Sequence, residues 1–318
     1  MNVLILYPNN KNAITGNLCS ALQYQKILQH LGHSVEVSSE YNGQRSEVLI
    51  VINAAKKNSD IRKFKVNNSN SKIVSVLSGT DIYPDPSKVT IDSMEQSNAL
   101  VVLQPDALLK VPESYKEKTF LIYQSVDPIV NVASPVDCNT EFRVTLIANI
   151  RSVKDPLVAP NACKLLSISS KIKIIHIGYC LEKNLGVILS KESESNERYD
   201  WIGGLNELDT RKTLSQSNVL LITSIDEGAG RVVGEAIELG VPIISTRNSG
   251  VLGVLGDDYE GYYPVSDSNL LSKMLMRVEE DPNFLQTLHE QCQSKAHLFC
   301  PELEKKSWAQ IISEIFLM

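Results

Sequence analysis

The chain has 318 residues, 43% of them hydrophobic and 21% charged, which is long and apolar enough for two globular cores. A net charge of -6, with no basic amphipathic segment, excludes the electrostatic footprint of a nucleic-acid or membrane-surface binder. The cysteines, Cys19, Cys138, Cys163, Cys180, Cys292 and Cys300, form no CxxC pair and have no histidine at ligand spacing, so reduced, packed thiols are expected rather than a zinc site or a disulfide framework.

Taken in chain order, Met1–Pro8 (MNVLILYP) is apolar but lacks a basic n-region, a long apolar core and a small-residue cleavage site. It reads as the first strand of a cytoplasmic protein, and no run reaches membrane-spanning length. Further strands are predicted at Val35–Val37, Val48–Ile52, Ile73–Leu77, Leu100–Leu103 and Phe120–Tyr123, after a first one at Val3–Tyr7. Most are continuous apolar runs, as expected of strands covered on both faces. Between the first two, Leu18, Leu22, Leu28 and Leu31 recur at helical spacing and Gly32 suits a C-terminal stop. After Tyr123 the text QSVDPIVNVASPVDCNTEF is rich in proline and small polar residues, as interdomain linkers are. The boundary is therefore expected within Asp127–Thr140, giving domains 1–130 and 131–318. A second alternating series follows, with strands at Val144–Ala148, Ile172–Ile177, Trp201–Ile202, Val219–Thr223 and Pro242–Ser245. From Ser268 onward the pattern is helical. It ends in Pro301–Met318, with Leu303, Trp308, Ile311, Ile312 and Ile315 on one side, a helix free to pack back on the first domain. The alternation predicts an α/β protein of two successive doubly wound domains, with a ligand cleft at the carboxyl ends of their strands.

Two segments at such strand ends carry the candidate chemistry. In DEGAGRVVGEAIELGVP (Asp226–Pro242) a glycine-rich loop enters a helix expected over Arg231–Leu239 and stopped by Gly240. Free N–H groups at a helix start attract phosphate, and Gly228 and Gly230 let an anion approach without a Cβ in the way. Glu227 and Glu235 stand eight residues apart, a rise of roughly 12 Å on a helix, so they would meet opposite ends of one long ligand. A solvated Glu235 and a dipole-stabilised Glu227 are the plainer alternative, but Val232, Val233, Ala236 and Ile237 surround Glu235, and a carboxylate so placed needs a partner. In IANIRSVKDP (Ile147–Pro156), Arg151 and Lys154 precede a helix that Asp155–Pro156 is expected to open. Such a pair binds a diphosphate, or is merely two solvated loop charges. In the first domain NAITGN (Asn12–Asn17) contains Gly16 and Asn17, and LSGTDIY (Leu77–Tyr83) offers Thr80 and Asp81. Asp81 reads as a base, an acceptor orienter or a turn residue. The five histidines show no metal or triad spacing and are taken as structural.

The E-x7-E form of EGAGRVVGE and the RSVKDP loop resemble those of retaining, family 4-like nucleotide-sugar glycosyltransferases. More narrowly, LSGTDIYPD, VVLQPDAL, IYQS, RSVKDPL, EGAGRVVGEA and LGDDYEGYYPVSD, in this order over nearly the whole chain, are similar to the bacterial selenosugar synthases of selenoneine biosynthesis. The resemblance implies two facing Rossmann-like domains, the GT-B glycosyltransferase fold, with a C-terminal helix. It implies transfer of a sugar from UDP-N-acetylglucosamine or UDP-glucose to selenophosphate, with release of UDP and phosphate. By that resemblance Glu235 holds the ribose hydroxyls, Glu227 approaches the donor sugar, and the loop at Gly16 and Asn17 closes over the diphosphate. Arg151, Lys154 and the amides of Gly230, Arg231 and Val232 would stabilise the leaving diphosphate without a metal or other cofactor. Selenophosphate is nucleophilic without much help from a base and needs a holder for its phosphoryl group, for which Thr80, Asp81, Arg231 and Arg247 are candidates. Lys56 and Lys57 are weaker ones, an exposed helix start being the plainer reading. A hydroxyl acceptor, with Asp81 as base, and a non-catalytic nucleotide-sugar-binding protein are the alternatives.

Overall fold

The computed structural model describes residues 1–9, 14–128, 140–228 and 230–317. By contacts the chain divides into two units. One comprises Met1–Ser125, the short Glu227–Ala229 segment and the chain from Leu298 onward; the other comprises Val126–Asp226 and Gly230–His297. Most of the expected linker, residues 129–139, lies outside the described residues.

The first unit is a six-stranded parallel sheet of β1 (Asn2–Leu6), β2 (Ser34–Ser38), β3 (Val48–Ile52), β4 (Lys72–Leu77), β5 (Ala99–Val102) and β6 (Thr119–Leu121), in the order β2-β1-β3-β4-β5-β6. The central strand β3, VLIVI, is buried at every residue, as a strand must be when helices cover both faces. One face packs Val3, Ile5, Ile50 and Val76 against Ala21, Tyr24 and Leu28 of the Gly16–His30 helix and against Trp308, Ile311, Ile312 and Ile315 of the Pro301–Glu314 helix. Tyr24 and Trp308 meet with ring centroids 4.6 Å apart.

Two expected helix faces need correction. Leu22 is 50% exposed and Leu303 52% exposed. The buried stripe of the first helix runs instead through Ala21, Tyr24 and Leu28, at i, i+3 and i+7. In the last helix the stripe starts at Glu304 and Trp308 rather than at Leu303.

The second unit is another six-stranded parallel sheet, built of β7 (Phe142–Ile147), β8 (Ile172–Ile177), β9 (Tyr199–Gly203), β10 (Val219–Ile222), β11 (Ile243–Thr246) and β12 (Tyr262–Tyr263). Its order is β12-β11-β10-β7-β8-β9. The two-residue β12 carries no periodic signal and was not expected from the sequence. Relabelled from its own first strand, this order is the 3-2-1-4-5-6 arrangement of dinucleotide-binding sheets, whose direction of winding reverses between the first and fourth strands. Here that switch point lies between β7 and β10, which pair directly. Among the described residues no helix is long and apolar enough to cross a membrane.

Candidate functional site

Both chemical motifs leave the strands flanking the switch point. The loop after β7 is fixed from below by β8. Ala148 N–H donates to Ile177 O at 2.9 Å, and the Ala148 carbonyl accepts from His176 Nε2 at 2.9 Å. Because a carbonyl only accepts, Nε2 carries the proton and Nδ1 accepts the Tyr199 hydroxyl at 2.6 Å. Complete burial pushes the His176 pKa down to about 4, so the ring is neutral. Gly178 lies against the same carbonyl: a Cβ there would sit 1.9 Å from Ala148 O. Ile150 N–H donates to Tyr179 O at 2.8 Å, and Tyr179 N–H to Asn149 Oδ1 at 2.9 Å.

Arg151 is therefore presented from a braced backbone in extended conformation, φ -158°. Its Nε is buried and makes no hydrogen bond among the described residues. Next comes a 3-10 turn over Ser152–Lys154, whose Ser152 N–H donates to the Glu182 carboxylate at 2.8 Å. Asp155 then takes the left-handed conformation, φ 43°, which Asp tolerates better than most residues. The following helix begins at Val158. Asp155–Pro156 thus does not open it, contrary to the sequence expectation: the Asp155 carboxylate is turned to the Ser266 hydroxyl, 2.5 Å away.

The loop after β10 is bonded to this one. Ile225 N–H donates to Val153 O at 2.9 Å, and Thr223 Oγ1 donates to Lys154 O at 2.6 Å. Thr246, at the end of β11, donates to Ser224 O at 2.5 Å, and Tyr263 of β12 donates to Ile222 O at 3.2 Å. The loop then reaches Gly230, left-handed at φ 55°, as N-cap of the Arg231–Glu238 helix. Glu235 lies on the buried face of that helix with Val233, Ala236 and Ile237. Arg231 Nε donates to Glu235 Oε1 at 3.2 Å, and the Arg231 guanidinium is 3.7 Å from the Glu207 carboxylate. Burial raises the Glu235 pKa, opposed by the positive charges of Arg231 and Arg211.

This edge of the sheet offers a braced Arg/Lys loop, a helix start and a buried carboxylate side by side, the groups needed to hold a phosphorylated, hydroxyl-bearing ligand. A family model, glycosyl transferases group 1, matches residues 137–296 and so spans all of it. The chain belongs to the glycosyl transferases group 1 family. No curated protein matches it as a relative. Among solved structures, Anabaena Alr3699/HepE in complex with UDP and glucose superposes with a TM-score of 0.79 at 14% identity, over 99% of this chain and 100% of that one. Sucrose-phosphate synthase from Thermosynechococcus elongatus gives 0.79 at 16% identity, over 100% of both chains. A glycosyltransferase from Rickettsia africae gives 0.74 at 13%, over 99% and 98%. At these identities the likeness speaks for the fold, which is the two-domain α/β GT-B fold of glycosyltransferases.

Within this group 1 glycosyltransferase the remaining candidates fall as follows. Glu227 is half-buried in the loop. Since the helix begins only at Arg231, the helical rise expected between Glu227 and Glu235 does not apply. Gly228 groups with the first unit, where a Cβ on it would lie 2.0 Å from Ser78 O. Also in the first unit, Thr15 caps the helix that starts at Gly16 by accepting from Leu18 N–H. Asn17 Oδ1 accepts from the Ser78 hydroxyl at 3.2 Å. Asn12 lies outside the described residues. Thr80 is exposed and accepts from Asn53 at 3.3 Å. Asp81 is buried, with Oδ1 accepting from Ser78 and Gly79 N–H and Oδ2 from Ala54 N–H, all at 2.9–3.0 Å. Burial pushes its pKa up to about 6 against these donors. The bonds from Ser78 and Gly79 N–H are those of a turn residue.

Two cations proposed as anion holders have carboxylate partners. Arg247 is paired with the Asp257 carboxylate and stands 5.4 Å from the Tyr262 ring centre. Lys57 is buried against Asp60 at 3.0 Å and the Ser39 carbonyl, whereas Lys56 is exposed. Sequence reasoning missed His176, Gly178, Thr223 and Thr246, whose partners are distant in the chain. It also missed the Arg231–Glu235 pair, for which the i, i+4 spacing was a signal. Among the described residues no group of three or more His, Cys, Asp or Glu could hold a metal ion.

Proposed function

We propose that the protein transfers a sugar from UDP-N-acetylglucosamine or UDP-glucose to selenophosphate, forming a 1-selenosugar. The observation that carries the donor half is the bonding of the Arg151/Lys154 loop to the loop that leads into the Arg231–Glu238 helix, through Val153 and Lys154 carbonyls. That places two cations and a helix start on neighbouring strand ends, at the position where doubly wound sheets bind phosphorylated ligands. The Anabaena protein's complex with UDP and glucose supports a uridine nucleotide as the leaving group. The selenosugar half rests on the ordered motifs quoted from the sequence.

In this reading Glu235 accepts the ribose hydroxyls, and Arg151, Lys154 and the amides at Gly230–Val232 meet the pyrophosphate. Glu227 approaches the sugar. On the first unit Gly16, Asn17 and Thr80 are assigned to substrate contacts, and Asp81 to holding the Ser78–Thr80 turn. Selenium attacks the anomeric carbon as the bond to the UDP oxygen breaks, and water then takes the phosphoryl group from selenium. The negative charge that develops on UDP is met by fixed cations and N–H dipoles, so the proposal calls on no metal.

The test is incubation with each UDP-sugar, with and without selenophosphate, followed by mass spectrometry. UDP release that requires selenophosphate, with a product containing both selenium and the sugar, is the expected result. Release indifferent to selenophosphate moves the reaction to a hydroxyl acceptor. No release with any acceptor leaves a nucleotide-sugar-binding protein.

A further inference from the structure

Arg231 was a candidate for holding an anion, yet its guanidinium is directed at carboxylates. It lies 3.2 Å from Glu235 and 3.7 Å from Glu207, with its side chain 22% exposed. Glu235 sits one turn further along the same helix with its side chain 12% exposed, where an ionised carboxylate is costly unless paired. Arg231, Arg211 and Glu207 act on its charge. Arg231 comes from its own helix. From the Glu207–Ser215 helix come Glu207, which opposes ionisation, and Arg211, which favours it. Arg211 is partly spent on the Asp127 carbonyl at 2.6 Å. The Pro282–Gln293 helix, on another side, bonds to the far end of the Arg231–Glu238 helix and the residue stopping it, through Gln293 to Ile237 O and His289 to Gly240 O.

We propose that Arg231 is a positioning residue that keeps Glu235 an oriented carboxylate, ready to accept both ribose hydroxyls of the donor nucleotide in acid as well as neutral solution. This rests on the reading of Glu235 as the ribose-binding group. A neutral carboxyl has an O–H in place of one acceptor and receives a vicinal diol less well. Burial works toward that neutral form and the Arg231 charge works against it. With Arg231 removed, Glu235 takes up a proton at higher pH, so nucleotide affinity falls as the solution is acidified.

The experiment is calorimetric titration of UDP and 2′-deoxy-UDP into wild type, Arg231→Met and Arg231→Lys at pH 8, 7 and 6. Wild type and Arg231→Lys should hold UDP with little change over this range, whereas Arg231→Met should lose about tenfold per pH unit once Glu235 protonates. At pH 6 it should also lose its preference for UDP over the deoxy analogue. If Arg231→Met does not fold, Arg231→Gln carries the same expectation. A variant profile parallel to wild type, weaker by a constant factor, overturns the proposal and returns Arg231 to anion binding. Failure of the underlying reading is a different result: wild type itself would not bind UDP, or would bind the deoxy analogue equally well, and the proposal would fall with it.

Discussion

His176 brings a donor and an acceptor into an apolar sheet, and both are used, on Ala148 O and on the Tyr199 hydroxyl. A proton added to Nδ1 would turn the Tyr199 hydroxyl from donor to acceptor and leave a buried charge. The folded-state pKa, about 4, lies below the ordinary 6.5, so the unfolded chain binds the extra proton first. The stability contribution is whole above pH 6.5 and is lost as pH falls toward 4. At about 1.4 kcal/mol per pH unit, the loss over that window is about 3 kcal/mol. Urea unfolding of the second unit, followed by the fluorescence of its Trp201 with Trp308 replaced by Phe in both proteins, should show this slope with His176 and its absence in His176→Leu. Lys154→Ala should lower kcat by about 10²–10³, or about 3–4 kcal/mol, with unfolding little changed, if the amine meets the leaving diphosphate. Unaltered turnover would remove that role.

The strand-end loops show what could be read in advance and what could not. VLLIT followed by a glycine-rich turn announces strand, loop and helix start, because apolar runs and glycines are local signals. RSVKDP was found in the same way, but its conformation was misjudged at Asp155–Pro156, since the partner that sets it, Ser266, is 111 residues away. The bracing of the loop was equally invisible. Gly178 has a plain sequence context, yet its missing side chain is what lets the chain leaving β8 pass beneath the Ala148 carbonyl. Gly178→Ala forces a Cβ onto rigid backbone, where overpacking costs about 1–3 kcal/mol. It should lower stability by about that amount and reduce kcat by displacing Arg151. A fully active, equally stable variant would show that the loop is not held there.

At the scale of the whole chain, two parallel sheets with helices on both faces were legible because buried parallel strands read as apolar runs, and β3 and β8 fall where VLIVI and IKIIHI predict. The pairing order was not legible, since nothing local in β7 or β10 states that they are neighbours. The C-terminal helix groups with the first unit and completes its core. There the buried Glu304 carboxylate accepts from Ser125 N–H at 2.7 Å and Gln23 at 2.6 Å. Trp308 is wholly buried, and Trp308→Ala should cost about 3–5 kcal/mol, read as an earlier thermal transition. A uridine diphosphate site at the β7/β10 switch point would be seen in a crystal structure with UDP. Pyrophosphate on Arg151, Lys154 and the Gly230–Val232 amides, with the ribose on Glu235, is the expected result. UDP bound away from this edge of the second sheet, or a diphosphate touching neither cation, would rule the site out.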